Sequence, residues 1–326
     1  MDGRAFQGFT LTLQFPRPLQ WGPTVMKTKS GFFGVYPMVY ALFDEKGNLA
    51  RDPMRRQVQS MLKHKVHGIG VLGLASEVNK LSTAERRQLM EWVAEDIDGK
   101  LPLAVTVAET SVGGQIEFVK AAAAVGAKWA ILQPPLVKHV PESELVRFFG
   151  SVADASPIPI AIQNAPEYLG IGLSHEGIRT LHRAHSNFTI VKLEATAIAI
   201  ASLLDAVDGG LDVFNGRDGI EMLDSMRAGA VGIIPGGEAF DILARAFDHM
   251  ALGTREGIAE AERLYAKVLP LLILLMESMD TFLVYGKPVL GHRLGIAEIN
   301  SRVPSTPPTE FGLRAAKRYA DVLGKL

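Results

Sequence analysis

From Phe32 onward, short apolar runs alternate with stretches whose apolar residues recur every three or four positions. That alternation predicts repeated βα units on a parallel sheet. The apolar runs are 33–39, 68–74, 101–107, 129–133, 158–164, 188–193, 211–215 and 231–235, eight in all. Successive runs lie roughly 20 to 35 residues apart, the size of a βα unit. The helical stretches between them have readable ends. Asp52 and Pro53 open one, with Met54, Val58, Met61 and Leu62 on a common face. Ser82 and Glu85 form a capping box for the next, and Gly126 and Gly229 stand where helices should stop. Eight units in a row without a long interruption predict an α/β chain folded as a closed (β/α)8 barrel of the TIM type. No G-x-G-x-x-G follows the first run, which weakens an open dinucleotide-binding sheet.

Beyond about Leu252 the strand runs end and three helical patterns remain, at 255–277, 280–293 and 309–323. Residues 1–30 carry Pro16, Pro18, Pro23, Gly3, Gly8 and Gly22 with little periodicity, as expected of an extension outside the main fold. The expected organisation is an extension at 1–30, a barrel at 31–252 and a helical segment at 253–326.

Composition narrows the function classes. Lys plus Arg (34) nearly cancels Asp plus Glu (35), which argues against a nucleic-acid partner. The absence of cysteine excludes disulfides, thiolate zinc sites and a cysteine nucleophile. Of the histidines, His64 and His67 sit at a helix end and His182 and His185 flank a turn, so no metal site is expected. The densest apolar run, 268–276, is far short of the roughly 20 residues of a membrane span. Residues 9–15 lack the cleavage site of a secretory leader. A soluble cytoplasmic protein without a membrane partner is the expectation.

In such a barrel the chemistry sits at the C-terminal ends of the strands. Lys192 lies near the end of the sixth run, among Ile190, Val191 and Leu193. A charged lysine is costly to bury, and the neutral amine is the form that attacks a carbonyl. The competing reading is a core lysine whose head pairs with Glu194. Residues two apart on a strand face the same side, so Glu194 is expected to share the cavity with Lys192.

The second run opens into Gly73-Leu74-Ala75-Ser76-Glu77, a turn whose N–H groups and Ser76 hydroxyl could hold a carboxylate, or which is an ordinary turn. Gln133 and Gln163 end the fourth and fifth runs as ligand contacts or strand-end plugs. The seventh ends Asn215-Gly216-Arg217-Asp218, where Asp218 either meets a ligand or caps the following helix. The eighth runs into Ile234-Pro235-Gly236-Gly237, whose glycines allow close approach of a ligand or a tight turn.

Together, Gly73 to Glu77, Gln163 with Asn164-Ala165-Pro166, Lys192 and Gly232-Ile233-Ile234 resemble the dihydrodipicolinate synthase/N-acetylneuraminate lyase superfamily from about Gly34 to Leu323. The resemblance implies a barrel, often a tetramer, that binds an α-keto acid as a Schiff base on Lys192 without a separate cofactor. A homo-oligomer, tetramer or dimer, is therefore expected, with a small α-keto acid as partner.

There are departures from the family pattern. Leu74, Ala75 and Ser76 replace the middle of Gly-Thr-Thr-Gly-Glu. Gln163 takes the place of a proton-transferring tyrosine, Leu136 that of a relay tyrosine, and Tyr168 falls near a carboxylate-gripping arginine.

The branch similar to the 2-keto-3-deoxy sugar acid dehydratases, particularly L-2-keto-3-deoxyarabonate dehydratase, matches better through Ser76-Glu77, Gln163 to Pro166 and Lys192-x-Glu194. The resemblance implies a catalytic set of Lys192, Glu194 and Gln163. Leu74, Ala75, Ser76, Gln133, Asn215, Arg217, Asp218 and Ile234 would bind substrate. Dehydration of a 2-keto-3-deoxy sugar acid is the leading expectation. A pyruvate-dependent aldolase or dihydrodipicolinate synthase is the first alternative, and a barrel that binds keto acids without turning them over is the second.

Overall fold

The computed structural model describes residues 28–137 and 139–326; the expected extension at 1–30 lies almost wholly outside them. Eight parallel strands alternate with helices: β1 (Gly34–Val35), β2 (Ile69–Val71), β3 (Leu103–Val107), β4 (Trp129–Leu132), β5 (Ile160–Asn164), β6 (Phe188–Leu193), β7 (Asp212–Asn215) and β8 (Gly232–Ile233). Their order in the sheet is β1-β8-β7-β6-β5-β4-β3-β2, and a parallel bridge from Met38 to Gly70 joins the two ends. The result is the expected (β/α)8 barrel. Strands β1 and β8 are shorter than their apolar runs because Pro37 and Pro235 bring no N–H to the ladder.

The helices on the outside are α1 (Arg51–Lys63), α2 (Thr83–Ile97), α3 (Val112–Ala124), α4 (Glu142–Ala155), α5 (Pro166–Leu169), α6 (His175–Ala184), α7 (Ala197–Ala206), α8 (Met222–Arg227) and α9 (Phe240–Ala251). The Ser82–Glu85 capping box opens α2, with both reciprocal hydrogen bonds present. Gly126 follows α3 with a φ of +91°, a conformation in which a side chain would be strained. The short α5 is not visible in the sequence pattern, since four residues are too few to show a period.

Inside the barrel the floor is aromatic. Tyr36, Trp129 and Phe214 are buried with ring centroids 5.3–5.6 Å apart. The strand register links this floor to the site: Gln163 lies beside Lys192, Lys192 beside Phe214, and Phe214 beside Gly232. A Cβ on Gly232 would fall on the Gly34 carbonyl and the Phe214 ring, so the absence of a side chain there makes room for Phe214.

At the N-terminal end of β7, the Asp212 carboxylate accepts the N–H groups of Lys29 and Ser30, at 2.9 and 2.7 Å, and the Ser30 hydroxyl at 2.6 Å. Asp212→Ala is expected to cost about 2–3 kcal/mol, since several hydrogen bonds to one ionised group are lost together. Urea unfolding of the variant against the parent measures it.

Three further helices, α10 (Arg255–Leu275), α11 (Met279–Leu294) and α12 (Glu310–Leu323), follow the barrel. They are tied to it by buried polar contacts. Arg293 pairs with Asp241 of α9 at 2.8 and 2.9 Å and donates to the Glu238 carbonyl at 2.7 Å. Lys287 of α11 pairs with Glu77 in the turn after β2. Arg302 reaches the carbonyls of Gly47 and Lys80. Among the described residues, no helix is long and apolar enough to cross a membrane.

Candidate active site

A cavity of about 40 Å³ opens at the C-terminal ends of the strands. That is room for roughly three water-sized groups, the scale of the keto acid end of a small substrate. Its wall comes from six places in the chain: Met38 after β1, Leu74 and Ala75 after β2, Lys192 and Glu194 of β6 and its edge, Arg217 and Asp218 after β7, Ile234 to Gly236 after β8, and a roof of Met276, Met279 and Phe282. The roof residues lie at the junction of α10 and α11.

Lys192 is 4% exposed, and its Nζ stands 2.9 Å from Glu194 Oε1. The ion pair and the shared cavity occur together. The Glu194 carboxylate is held from two further sides: the Arg217 N–H donates to Oε2 at 2.5 Å, and Gln163 Nε2 approaches Oε1 at 3.4 Å. Gln163 in turn accepts from Gln133 Nε2 at 3.0 Å, and Gln115 donates to the Gln133 carbonyl at 2.8 Å. A chain of fixed amides thus aims one carboxylate at the amine. Gln133 and Gln163 are buried but do not line the cavity, so each acts on it through a neighbour.

Gly216 makes this placement feasible, because a Cβ there would overlap both oxygens of Glu194. Gly216→Ala is expected to displace the carboxylate and lower turnover about 100-fold with the melting temperature nearly kept. Steady-state kinetics beside a thermal melt separates this from general destabilisation.

Besides Gln133, two of the expected substrate contacts are engaged elsewhere. The Ser76 hydroxyl is fully buried, donating to the Val39 carbonyl at 2.5 Å and accepting the Leu72 N–H at 3.0 Å. It braces the turn and does not reach the cavity. Leu74 and Ala75 do line it, and their N–H groups donate no hydrogen bond among the described residues. Asn215, expected near sugar hydroxyls, bonds the N–H and carbonyl of Ala195 at 3.2 and 3.0 Å and the Ser225 hydroxyl at 3.0 Å. Its amide shapes the loop after β6. Arg217, Asp218 and Ile234 do line the cavity. Asp218 does not cap a helix: it sits in the turn Arg217–Gly219 with a φ of +54°, and Glu221 precedes α8.

Several groups at or beside the cavity escape the sequence pattern. Phe282, Met276 and Met279 come from the helical tail, with no period marking them as a roof. The hydroxyl of Tyr168, half-buried, is pushed above its ordinary range by burial and then by the nearby Glu194 carboxylate, with Arg217 pulling the other way. Behind Asp218 lies Glu238, fully buried and accepting from the Tyr40 hydroxyl at 2.7 Å. Among the described residues, no group of three or more His, Cys, Asp or Glu side chains is placed to hold a metal ion.

The model of the dihydrodipicolinate synthetase family matches residues 31–319. Among curated relatives, 4-hydroxy-tetrahydrodipicolinate synthase of Methanococcus vannielii is 25% identical over 244 residues, 74% of this chain and 82% of that one. L-2-keto-3-deoxyarabonate dehydratase of Azospirillum brasilense is 29% identical over 213 residues, 63% of this chain and 68% of that one. Among solved structures, YagE of Escherichia coli K12 in complex with pyruvate superposes with a TM-score of 0.82 at 22% sequence identity, covering 90% of this chain and 98% of that one.

Proposed function

The chain belongs to the dihydrodipicolinate synthetase family of lyases and aldolases, and from that premise we propose that it forms a Schiff base on Lys192 and dehydrates a 2-keto-3-deoxy sugar acid. The observation that carries this reading is the 2.9 Å contact between Lys192 and Glu194 at the wall of a small cavity. Glu194 takes a proton from the ammonium, and the freed amine adds to the C2 carbonyl. Glu194 returns its proton to that oxygen, which leaves as water and gives an iminium that draws electrons from the adjacent C–H bond. Glu194 is again the carboxylate within reach to remove the C3 proton. The electron pair then expels the C4 hydroxyl, which departs as water once protonated. The substrate carboxylate is assigned to the N–H groups of Leu74 and Ala75, since both residues line the cavity and neither N–H donates a hydrogen bond among the described residues. Gln163 and Gln133 position Glu194 and carry no proton themselves.

An aldolase reading is favoured by a further relative, the putative 2-dehydro-3-deoxy-D-gluconate aldolase YagE of Escherichia coli, 26% identical over 179 residues. Products decide between the two. Incubation with 2-keto-3-deoxy-L-arabonate is expected to give a product that keeps all its carbons, and release of pyruvate with an aldehyde would establish the aldolase instead. Borohydride reduction during incubation with pyruvate is expected to leave a stable adduct on the peptide carrying Lys192. An unmodified Lys192 would remove the Schiff-base chemistry altogether.

The exposed apolar side chains Leu136 and Val137 after β4, 64% and 41% accessible, support association with further copies of the chain. Light scattering is expected to give a mass of two or four protomers.

A further inference from the structure

A dehydration needs an acid as well as a base; Glu194 serves as the base, and the Tyr168 hydroxyl does not line the cavity. Gln163 has an amide, which does not give up a proton at working pH. The cavity wall holds one other carboxyl group, that of Asp218. Its Oδ1 accepts the Gly236 N–H at 2.7 Å. Behind it the Glu238 carboxyl is held by the Tyr40 hydroxyl at 2.7 Å through Oε2. The remaining two oxygens, Asp218 Oδ2 and Glu238 Oε1, are buried with no donor among the described residues. Asp218 is 4% and Glu238 0% exposed.

The two carboxyl groups lie within hydrogen-bonding reach of one another. Two ionised carboxylates do not sit together in a dry site, and one proton held between them removes the repulsion and joins the pair by a hydrogen bond. The charged and titratable neighbours are Tyr40 after β1, Lys192 of β6, Glu194 just after it, Arg217 beside Asp218, and Arg293 from α11.

We propose that Asp218 and Glu238 share one proton and that Asp218, on the cavity wall, is the general acid that protonates the departing hydroxyl, with Glu238 as its positioning residue. This rests on the dehydratase reading above. In the step, Glu194 takes the C3 proton, the C3–C4 double bond forms, the C4–O bond breaks, and the oxygen leaves as water with the Asp218 proton. The proton on Glu194 passes through solvent to Asp218 once product leaves, so nothing is consumed.

The direction of each shift agrees. Burial first, then the Glu238 charge, raises Asp218 well above the usual carboxylate range. Burial raises Glu238 as well, opposed by its hydrogen bonds to Asp218 and Tyr40. Both shifts favour one proton held by the pair, which titrates as a unit, and Asp218 is the member that presents it to the cavity.

Two measurements test this without depending on one another. Infrared spectroscopy of the substrate-free protein at neutral pH is expected to show the carbonyl stretch of a buried protonated carboxylic acid, lost in Asp218→Asn. A spectrum without that band overturns the shared proton whatever the substrate is.

For the acid role, Asp218→Asn is expected to keep the borohydride-trapped pyruvate adduct and deuterium exchange at the pyruvate methyl group, while 2-keto-3-deoxy-L-arabonate turnover falls about 100-fold or more. Equal loss of adduct, exchange and turnover would mark a structural role, and turnover near the parent's would remove Asp218 as the acid. If the parent itself forms the adduct but does not dehydrate, the dehydratase reading fails while the infrared result still decides the proton. Glu238→Gln removes the charge that raises Asp218, so the alkaline limb of the kcat/KM profile is expected to move to lower pH. An unmoved limb overturns the positioning role.

Discussion

Replacing Lys192 with methionine is expected to abolish turnover, by at least about 10,000-fold, and to eliminate the borohydride-trapped adduct while the barrel stays folded. The loss is large because, among the described residues, no other amine lines the cavity: the remaining polar side chains on its wall are those of Glu194, Arg217 and Asp218. The aliphatic replacement fills the volume of the lysine stem between Gln163 and Phe214, its neighbours in the strand register. Glu194 loses its ion-pair partner but keeps the Arg217 N–H at 2.5 Å and the Gln163 amide at 3.4 Å, and so is not stranded. Circular dichroism of the folded variant, with mass spectrometry after reduction, checks both halves. Substantial residual turnover by folded Lys192→Met would end the covalent mechanism.

The second large effect is expected at Glu194. Glu194→Gln keeps the shape and still offers an oxygen to Arg217, but it has no carboxylate to take a proton. Turnover should fall by about 100- to 10,000-fold, the usual worth of a positioned general base. Because the same carboxylate serves the amine and the C3–H bond, both adduct formation and exchange of the pyruvate methyl protons with deuterated solvent should slow. Proton NMR in deuterated buffer follows the exchange directly. Parent-like exchange in Glu194→Gln would move the base to another group. The contrast with Asp218→Asn is informative, since that variant is expected to retain exchange and lose only the later elimination.

Lys192 was legible because local rules suffice for it. A β-branched run predicts a strand, a parallel strand in a barrel carries its chemistry at one end, and alternation places positions 192 and 194 on one side. The Ser82–Glu85 cap and the stop at Gly126 were legible for the same reason, since each depends on residues a few positions away. Ser76 and Asn215 could not be assigned in this way. A serine in a turn and an amide at a strand end have the same chemistry whether they meet a ligand or a carbonyl. Their actual partners, the Val39 carbonyl and the Ser225 hydroxyl, are settled by packing. The Asp218–Glu238 pair is hidden more deeply, because Glu238 stands beyond β8 in a stretch that reads as an ordinary turn into a helix.

The order of apolar runs, the eightfold repeat and the place of Lys192 near the end of a buried strand were determined by the sequence alone, because strand and helix periodicity are local properties of the chain. Which polar groups are free to act was decided only by the tertiary structure. A side chain is available for chemistry when its hydrogen bonds are not already satisfied, and those partners come from distant parts of the chain, as Tyr40 and Glu238, 198 residues apart, show. The roof of Met276, Met279 and Phe282 belongs to the same class, since closing a cavity requires the helical tail to return over the mouth of the barrel.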